Sequence, residues 1–368
     1  MVHSSPRDVI VVGAGFSLYA GLPLQKDFTA AILSRRGLAR GGPSRRIVDH
    51  LTKFVRHAFG LPKRAPASRW PELEDLFTNI DLAANTGHNL GADYLPSDLR
   101  TVRRALIARI IRMLRQRYRR ARKRRDKSWK KLEYLYSQID LDHWAFICMS
   151  WDSVVEERIA RTIRNLGIDY GCDSLWARFP RKVGTVETPP PKFSVGIPVI
   201  KIHGSTNWLY CDNCRTLFSF PPRETIRIAR QLLGKSDWRR IIRGDRRTHR
   251  QWKCNQCDGG TLGTRLATFS YQKALEFPMF QKSWASAADL LHAAKRWVFI
   301  GYSLPPADYE FKHLLKRVQL SRQLPPEIIV ITGGKGASKT ASAYEHFFGK
   351  VTMFPRGISK RAVSYLAR

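Results

Sequence analysis

The chain has 368 residues, 43% hydrophobic and 11% aromatic, enough for a large buried core, which excludes a disordered polymer and admits one large domain with inserted modules or two domains. Lysine and arginine number 64 against 30 acidic residues, a formal net charge of +34. Folding does not require that imbalance and self-repulsion works against compactness, so the charge points to a polyanionic partner, nucleic acid first, with a generally basic proteome or a solubility trait as the alternative.

Residues 8–12, Asp-Val-Ile-Val-Val, are an apolar β-branched run that ends at Gly13-Ala14-Gly15, and a helix is predicted from Leu24 to Arg35. This start reads as strand, tight turn and helix rather than as a signal peptide, and no apolar run is long enough to span a bilayer. A cytoplasmic location without membrane contact is therefore expected. Residues 36–72 are rich in Gly, Pro and Arg, with one helical stretch near 45–58, and residues 86–97 read as a loop. A long amphipathic helix follows Pro96, with Ser97 or Asp98 as its N-cap and Ile107, Ile110, Ile111, Leu114 and Tyr118 on its apolar face. Between Arg100 and Lys131, 16 of 32 residues are Lys or Arg and only Asp126 is acidic. Such a helix suits phosphate contacts, with Trp129, Tyr134 and Tyr136 as candidates to stack on bases. A solvated helix and an acidic protein partner are the alternatives.

Later strands are expected at 144–149, 199–202, 297–300 and 328–332, with helices at about 154–165 and 283–295. Strands alternating with helices argue for an α/β fold, a Rossmann-like doubly wound parallel sheet. Four of the six cysteines form two C-x2-C pairs, Cys211/Cys214 and Cys254/Cys257. In a reducing compartment that spacing suits a structural, all-thiolate zinc site, with two redox pairs as the alternative. The linker between the pairs is basic, with Arg223, Arg227, Arg230, Arg239, Arg240, Arg243, Arg246, Arg247 and Arg250. The expected division is one Rossmann-like domain, 1–210 and 258–368, interrupted by a basic helical insertion at about 97–140, and a zinc module with its basic insertion at 211–257.

The segment G-A-G-F-S-L-Y-A-G-L-P at 13–23 resembles the opening motif of the sirtuin family. The resemblance continues at His203-Gly204, at the two C-x2-C pairs, and at F-I-G-Y-S-L-P-P-A-D, 299–308, which is similar to the bacterial sirtuin-like branch more than to the protein deacylases. It implies NAD as ligand, held by Gly13, Ala14, Gly15, Ser17, Gly21 and Pro23 at the phosphates and by Gly301, Tyr302, Ser303 and Asp308 on the adenosine side. It implies His203 as general base, with Asp152 and Ser150 beside the reacting ribose, and one structural zinc. Two departures stand out: Ser150 occupies the place of the family's asparagine, and A-T-F-S-Y-Q at 267–272 replaces the deacylases' Phe-Gly-Glu. The implied activity is NAD hydrolysis to nicotinamide and ADP-ribose, as an antiviral defence effector gated by nucleic acid, a protein partner or homo-oligomerisation. A weakly active or inactive nucleic-acid-binding subunit on the same scaffold is the alternative, and a protein deacylase a third.

Overall fold

The computed structural model describes residues 8–163, 167–190, 196–242, 251–257, 260–266 and 278–368. The expectations for 267–272 and for Arg243, Arg246, Arg247 and Arg250 lie outside the described residues. The strands are β1 (Asp8–Val12), β2 (Trp144–Cys148), β3 (Gly167–Asp169), β4 (Ser174–Trp176), β5 (Gly196–Lys201), β6 (Trp208–Cys211), β7 (Leu217–Ser219), β8 (Leu262–Gly263), β9 (Arg296–Ile300), β10 (Glu327–Ile331) and β11 (Thr352–Phe354). The helices are α1 (Ala14–Ser17), α2 (Phe28–Leu33), α3 (Pro43–Ala58), α4 (Leu73–Thr86), α5 (Pro96–Arg124), α6 (Lys127–Gln138), α7 (Val154–Thr162), α8 (Thr225–Gln231), α9 (Lys235–Ile241), α10 (Pro278–Ala293), α11 (Tyr309–Leu320), α12 (Ala337–Phe348) and α13 (Lys360–Leu366).

Seven strands form one parallel sheet in the order β11-β10-β9-β1-β2-β5-β3. Without the edge strand β3, this is the doubly wound order in which the chain builds outward from β1 in one direction and later returns to build in the other. The topological switch therefore falls between β1 and β9. The central strands are apolar on both faces because helices cover both faces. Ile10, Val12, Phe146 and Ile300 face the layer formed by α2–α8 and α13, while Val9, Val11, Ile147 and Phe299 face α10–α12. At the starts of these strands the Arg296 guanidinium grips the buried Asp8 carboxylate through two bonds of 2.6 and 2.8 Å. That pair fixes β1 and β9 in register, with Asp8 opposite Arg296.

The smaller sheet runs β4-β7-β6-β8 and carries the cysteines: Cys211 ends β6 and Cys214 lies in the β6–β7 turn. Helix α5 is the axis of the helical layer and packs against α2, α3, α4, α8 and α9. Its N-cap is Leu95 rather than Ser97 or Asp98; Pro96 takes the first helical position and Asp98 reaches back to the Leu95 amide at 3.2 Å. The basic stretch is two helices, not one. Arg125 turns left-handed at φ 46°, and Asp126 caps α6 by accepting from the Trp129 amide at 3.0 Å. The helix expected over Leu24–Arg35 shortens to α2, since a 3-10 turn occupies 25–27.

The switch point is built by backbone contact. A Cβ on Gly13 would lie 2.6 Å from the Gly301 carbonyl oxygen, and one on Gly301, at φ +62°, would lie 2.2 Å from the Phe16 nitrogen. Both sides of that contact are rigid backbone. We expect Gly301→Ala to cost about 3 kcal/mol or more, since neither strand end can relax, and Gly184→Ala, where a Cβ meets nothing within 4 Å, to change stability little. Thermal or urea denaturation of the two variants is the check, and equal loss in both would contradict the close packing.

Candidate functional site

The carboxyl ends of β1, β2, β5, β9, β10 and β11 open onto one cavity of about 920 Å³, within the usual ~300–1,000 Å³ of small-molecule sites. Gly13, Ala14, Gly15, Ser17 and Pro23 line it at its centre, with Gly301, Tyr302, Ser303 and Asp308 from the β9 loop. Ser150, Asp152 and His203 line it from the β2 and β5 ends. Gly21 does not line it. It closes the following 3-10 turn at φ 78°, where a Cβ would lie 2.8 Å from the Ala121 side chain of α5.

The turn after β1 has few amides to spare. Gly13 donates to the Ile300 carbonyl at 3.1 Å, Gly15 to the Gly301 carbonyl at 2.9 Å and Phe16 to the Gly13 carbonyl at 3.0 Å. The Ala14 amide has no acceptor among the described residues, which leaves it as the main-chain donor for an anion in this turn. The Ser17 hydroxyl is buried and gives its proton to Asp152 Oδ2 at 2.7 Å. Its remaining capacity is to accept a hydrogen bond, not to donate one to phosphate.

Asp152 is thereby a structural hub at the cavity wall. Its Oδ2 accepts from Ser17 and its Oδ1 from the Val154 amide at 3.0 Å, at the start of α7. Its backbone carbonyl accepts from Lys201 Nζ, which is fully buried at the end of β5. Lys201 is paired in turn with the buried Glu156 of α7 at 3.5 Å. Burial opposes the charge on Lys201, but Glu156, Cys148 and Asp152 outweigh it and raise its pKa. For Glu156 burial prevails and its pKa also lies above the ordinary carboxylate value.

His203 sits one residue beyond the β5–Ile202 run, and its Nδ1 lies 3.2 Å from the Met149 carbonyl oxygen. A carbonyl only accepts, so Nδ1 carries the proton and the neutral ring keeps its lone pair on Nε2. That tautomer is the one a general base requires. Ser150 is half-buried between Met149 and Trp151 on the same wall.

The four cysteines Cys211, Cys214, Cys254 and Cys257 converge, with all sulfurs within 4.8 Å of one another. The Cys211–Cys257 and Cys214–Cys254 separations are 3.6 and 3.5 Å, too long for disulfides and close to the ~3.8 Å edge of a tetrahedron with metal–sulfur bonds of about 2.3 Å. Four thiolates in that arrangement could hold a metal ion.

The arginines of α5 divide into two groups. Arg103 pairs with Asp81 at 2.6 Å, Arg104 with Asp237, and Arg115 with Glu157. Arg109 is buried and donates to the Ile32 carbonyl at 2.8 Å, and burial lowers its pKa to about 10. These are internal staples. Beyond Tyr118 the cations turn outward: Arg119, Arg120, Arg122, Lys123, Arg124, Arg125, Lys127, Lys130 and Lys131 are exposed. Trp129 and Tyr136 are 1% exposed and packed in the core, which corrects the expectation that they stack on bases; Tyr134 is half-buried. In the cysteine linker, Arg227 lies over the Phe179 and Trp252 rings and bonds the Pro180 carbonyl at 2.6 Å, while Arg240 pairs with Asp98 of α5 at 2.9 Å.

No family model and no curated protein matches the chain. It is similar to solved Sir2 structures along nearly its whole length, at low identity and loose superposition. One comes from work on the mechanism and regulation of Sir2 enzymes, with 13% identity, 99% of this chain and 93% of that one covered, and a TM-score of 0.34. A second, from work on sirtuin substrate affinity, has 13% identity, 98% and 91% coverage and a TM-score of 0.36. A third, Sir2 with a p53 peptide and NAD+, has 12% identity, 98% and 91% coverage and a TM-score of 0.38.

Sequence reasoning did not single out Lys201 and Glu156; the signal available was a charged residue inside an otherwise apolar strand. Removing one member of a buried ion pair leaves the other uncompensated, whereas replacing both need not. We expect Lys201→Met to lose about 3 kcal/mol and the double variant Lys201→Met/Glu156→Leu to regain at least about half of it, measured by urea denaturation in a double-mutant cycle. Strict additivity of the two single losses would contradict the pairing.

Proposed function

We propose that the chain binds an NAD-type dinucleotide across the β1/β9 switch point and hydrolyses its nicotinamide–ribose bond. The observation that carries this reading is the convergence of His203, Ser150 and Asp152 on one side of the glycine turn and of Gly301, Tyr302, Ser303 and Asp308 on the other, around a single cavity. The sirtuin-type motifs at 13–23, 203–204 and 299–308 support the same ligand, with Gly21 as a structural rather than a contacting residue. In the proposed step the C–N bond to nicotinamide breaks and its electron pair leaves with the neutral base. Water adds its oxygen to the ribose carbon and gives its proton to His203 Nε2. Ser150, in place of the family's amide, accepts from or donates to that water, while the Ser17–Asp152–Lys201 chain holds the wall rigid. We assign the four-cysteine cluster to one zinc ion that cross-links β6 to the loop before β8, a structural role because the four thiolates complete a tetrahedral shell.

The outward cations of α5 and α6 are the proposed contact for nucleic acid. They lie beside the cavity, since Ser128 and Lys131 of α6 line its rim, so a bound strand would regulate access to the dinucleotide. Gating of this kind fits an antiviral defence effector, in which unregulated hydrolysis would deplete the host's NAD. A catalytically weak nucleic-acid-binding subunit remains the second reading, favoured by Ser150.

Nicotinamide release from NAD, with and without DNA or RNA, tests the first reading. His203→Ala is expected to lower the rate by about 10²–10⁴-fold, the usual contribution of a general base. No release under any condition, with NAD still bound, would favour the second reading. Nucleic-acid binding should weaken steeply with salt, by about 0.9 log units per log unit of salt for each duplex phosphate contacted. Arg119→Ala/Arg122→Ala/Lys123→Ala should flatten that slope by about 3, read by fluorescence anisotropy; an unchanged slope places the contact elsewhere.

A further inference from the structure

The geometry points to a second anion site in the cavity, at the β10 and β11 ends, that selects a dinucleotide phosphorylated on its adenosine ribose. The inference rests on the dinucleotide reading above, which puts the reacting ribose beside His203 and so directs the adenosine toward β10 and β11.

Four observations carry it. Lys335 and Arg356 line the cavity from these two strand ends, and neither has an ion-pair partner among the described residues. Their loops are held together: the Gly357 amide donates to the Thr332 carbonyl at 2.6 Å, Thr332 donates to the Phe354 carbonyl at 3.1 Å, and the Ile358 amide donates to the Tyr19 hydroxyl at 2.9 Å. A Cβ on Gly333 would lie 3.3 Å from the Gly357 nitrogen, so the close approach of the two loops uses that glycine. Thr340 is 9% exposed, lines the same end, and its hydroxyl has no hydrogen-bond partner among the described residues. It lies in the first turn of α12, a 12-residue helix entered through Gly336, whose N-terminal amides favour an anion.

The acids are as informative as the cations. A doubly wound fold that takes the unphosphorylated cofactor commonly offers a carboxylate to the ribose 2′-hydroxyl, and one that takes the phosphorylated form offers a cation. Among the described residues no carboxylate lines the cavity from the β10 or β11 end; its acids are Glu74, Asp152 and Asp308. Asp308 belongs to the β9 loop, and one of its oxygens already accepts from the Tyr302 hydroxyl at 2.7 Å. Two cations, a helix N-terminus and a buried hydroxyl therefore face a ribose position with no opposing charge on that side.

The test uses ligands without a scissile nicotinamide: ADP-ribose and 2′-phospho-ADP-ribose, titrated against the full chain by calorimetry at fixed salt. The phosphorylated ligand is expected to bind at least about tenfold tighter, the gain of charge-assisted bonds to one added phosphate. In Lys335→Ala/Arg356→Ala that gain should vanish, leaving the two ligands within about threefold, while Lys335→Arg should preserve it. Equal or weaker binding of the phosphorylated ligand, or an undiminished gain in the double variant, overturns the inference. Binding of ADP-ribose without a phosphate gain overturns this inference alone; binding of neither ligand overturns the dinucleotide reading with it.

Discussion

The close approach of the β1 and β9 strand ends governs the rest of the molecule. Gly13, Gly15 and Gly301 bring two backbones into van der Waals contact where the sheet reverses its direction of growth. Any side chain there would force the turns apart. Because they meet, the cavity runs unbroken from the β5 end to the β11 end, and residues as distant in sequence as Gly13 and Arg356 line it together. The cost is that most amides of the glycine turn are spent on the protein itself. That leaves the Ala14 amide, rather than a row of free N–H groups, as the turn's open main-chain donor.

The same economy appears in the helical layer. A chain this basic must place many of its arginines without destabilising its core, and α5 does so by making them donors to carbonyls and acids of its neighbours. Arg103, Arg104, Arg109 and Arg115 bind α4, α9, the end of α2 and α7 to one axis. Past Tyr118 the cations run together as one exposed surface. The net charge is thus partly architectural, and one run of exposed cations lies at the α5–α6 corner, where Lys131 also lines the cavity.

The central strands β1, β2, β5, β9 and β10 were legible because buried parallel strands appear as short apolar runs, and β1 matches its predicted bounds, whereas the short edge strands β3 and β11 and the small sheet were not read. The glycine turn, His203 and the cysteine pairs were legible because each is a fixed local pattern. Other features were hidden for physical reasons. The break between α5 and α6 depends on one left-handed arginine, and propensity favours continuing the helix through it. Trp129 and Tyr136 are amphipathic side chains whose burial is decided by tertiary packing, not by their cationic neighbours. Helix α4 went unread, although Leu73, Leu76, Phe77 and Ile80 carry a helical period. Lys335 and Arg356 lie on separate loops that only the sheet order brings together, and a sequence pattern does not record that adjacency.

We propose that these strand ends hold a dinucleotide across the switch point. The most direct measurement is amide NMR of the isotopically labelled chain titrated with ADP-ribose. Saturable shifts are expected at Ala14 and at the residues flanking Gly301 and Gly333, with little change among the cysteine-bearing strands β6 and β7. Saturation that moves only the α5–α6 corner or the small sheet, leaving Ala14 unperturbed, would contradict it.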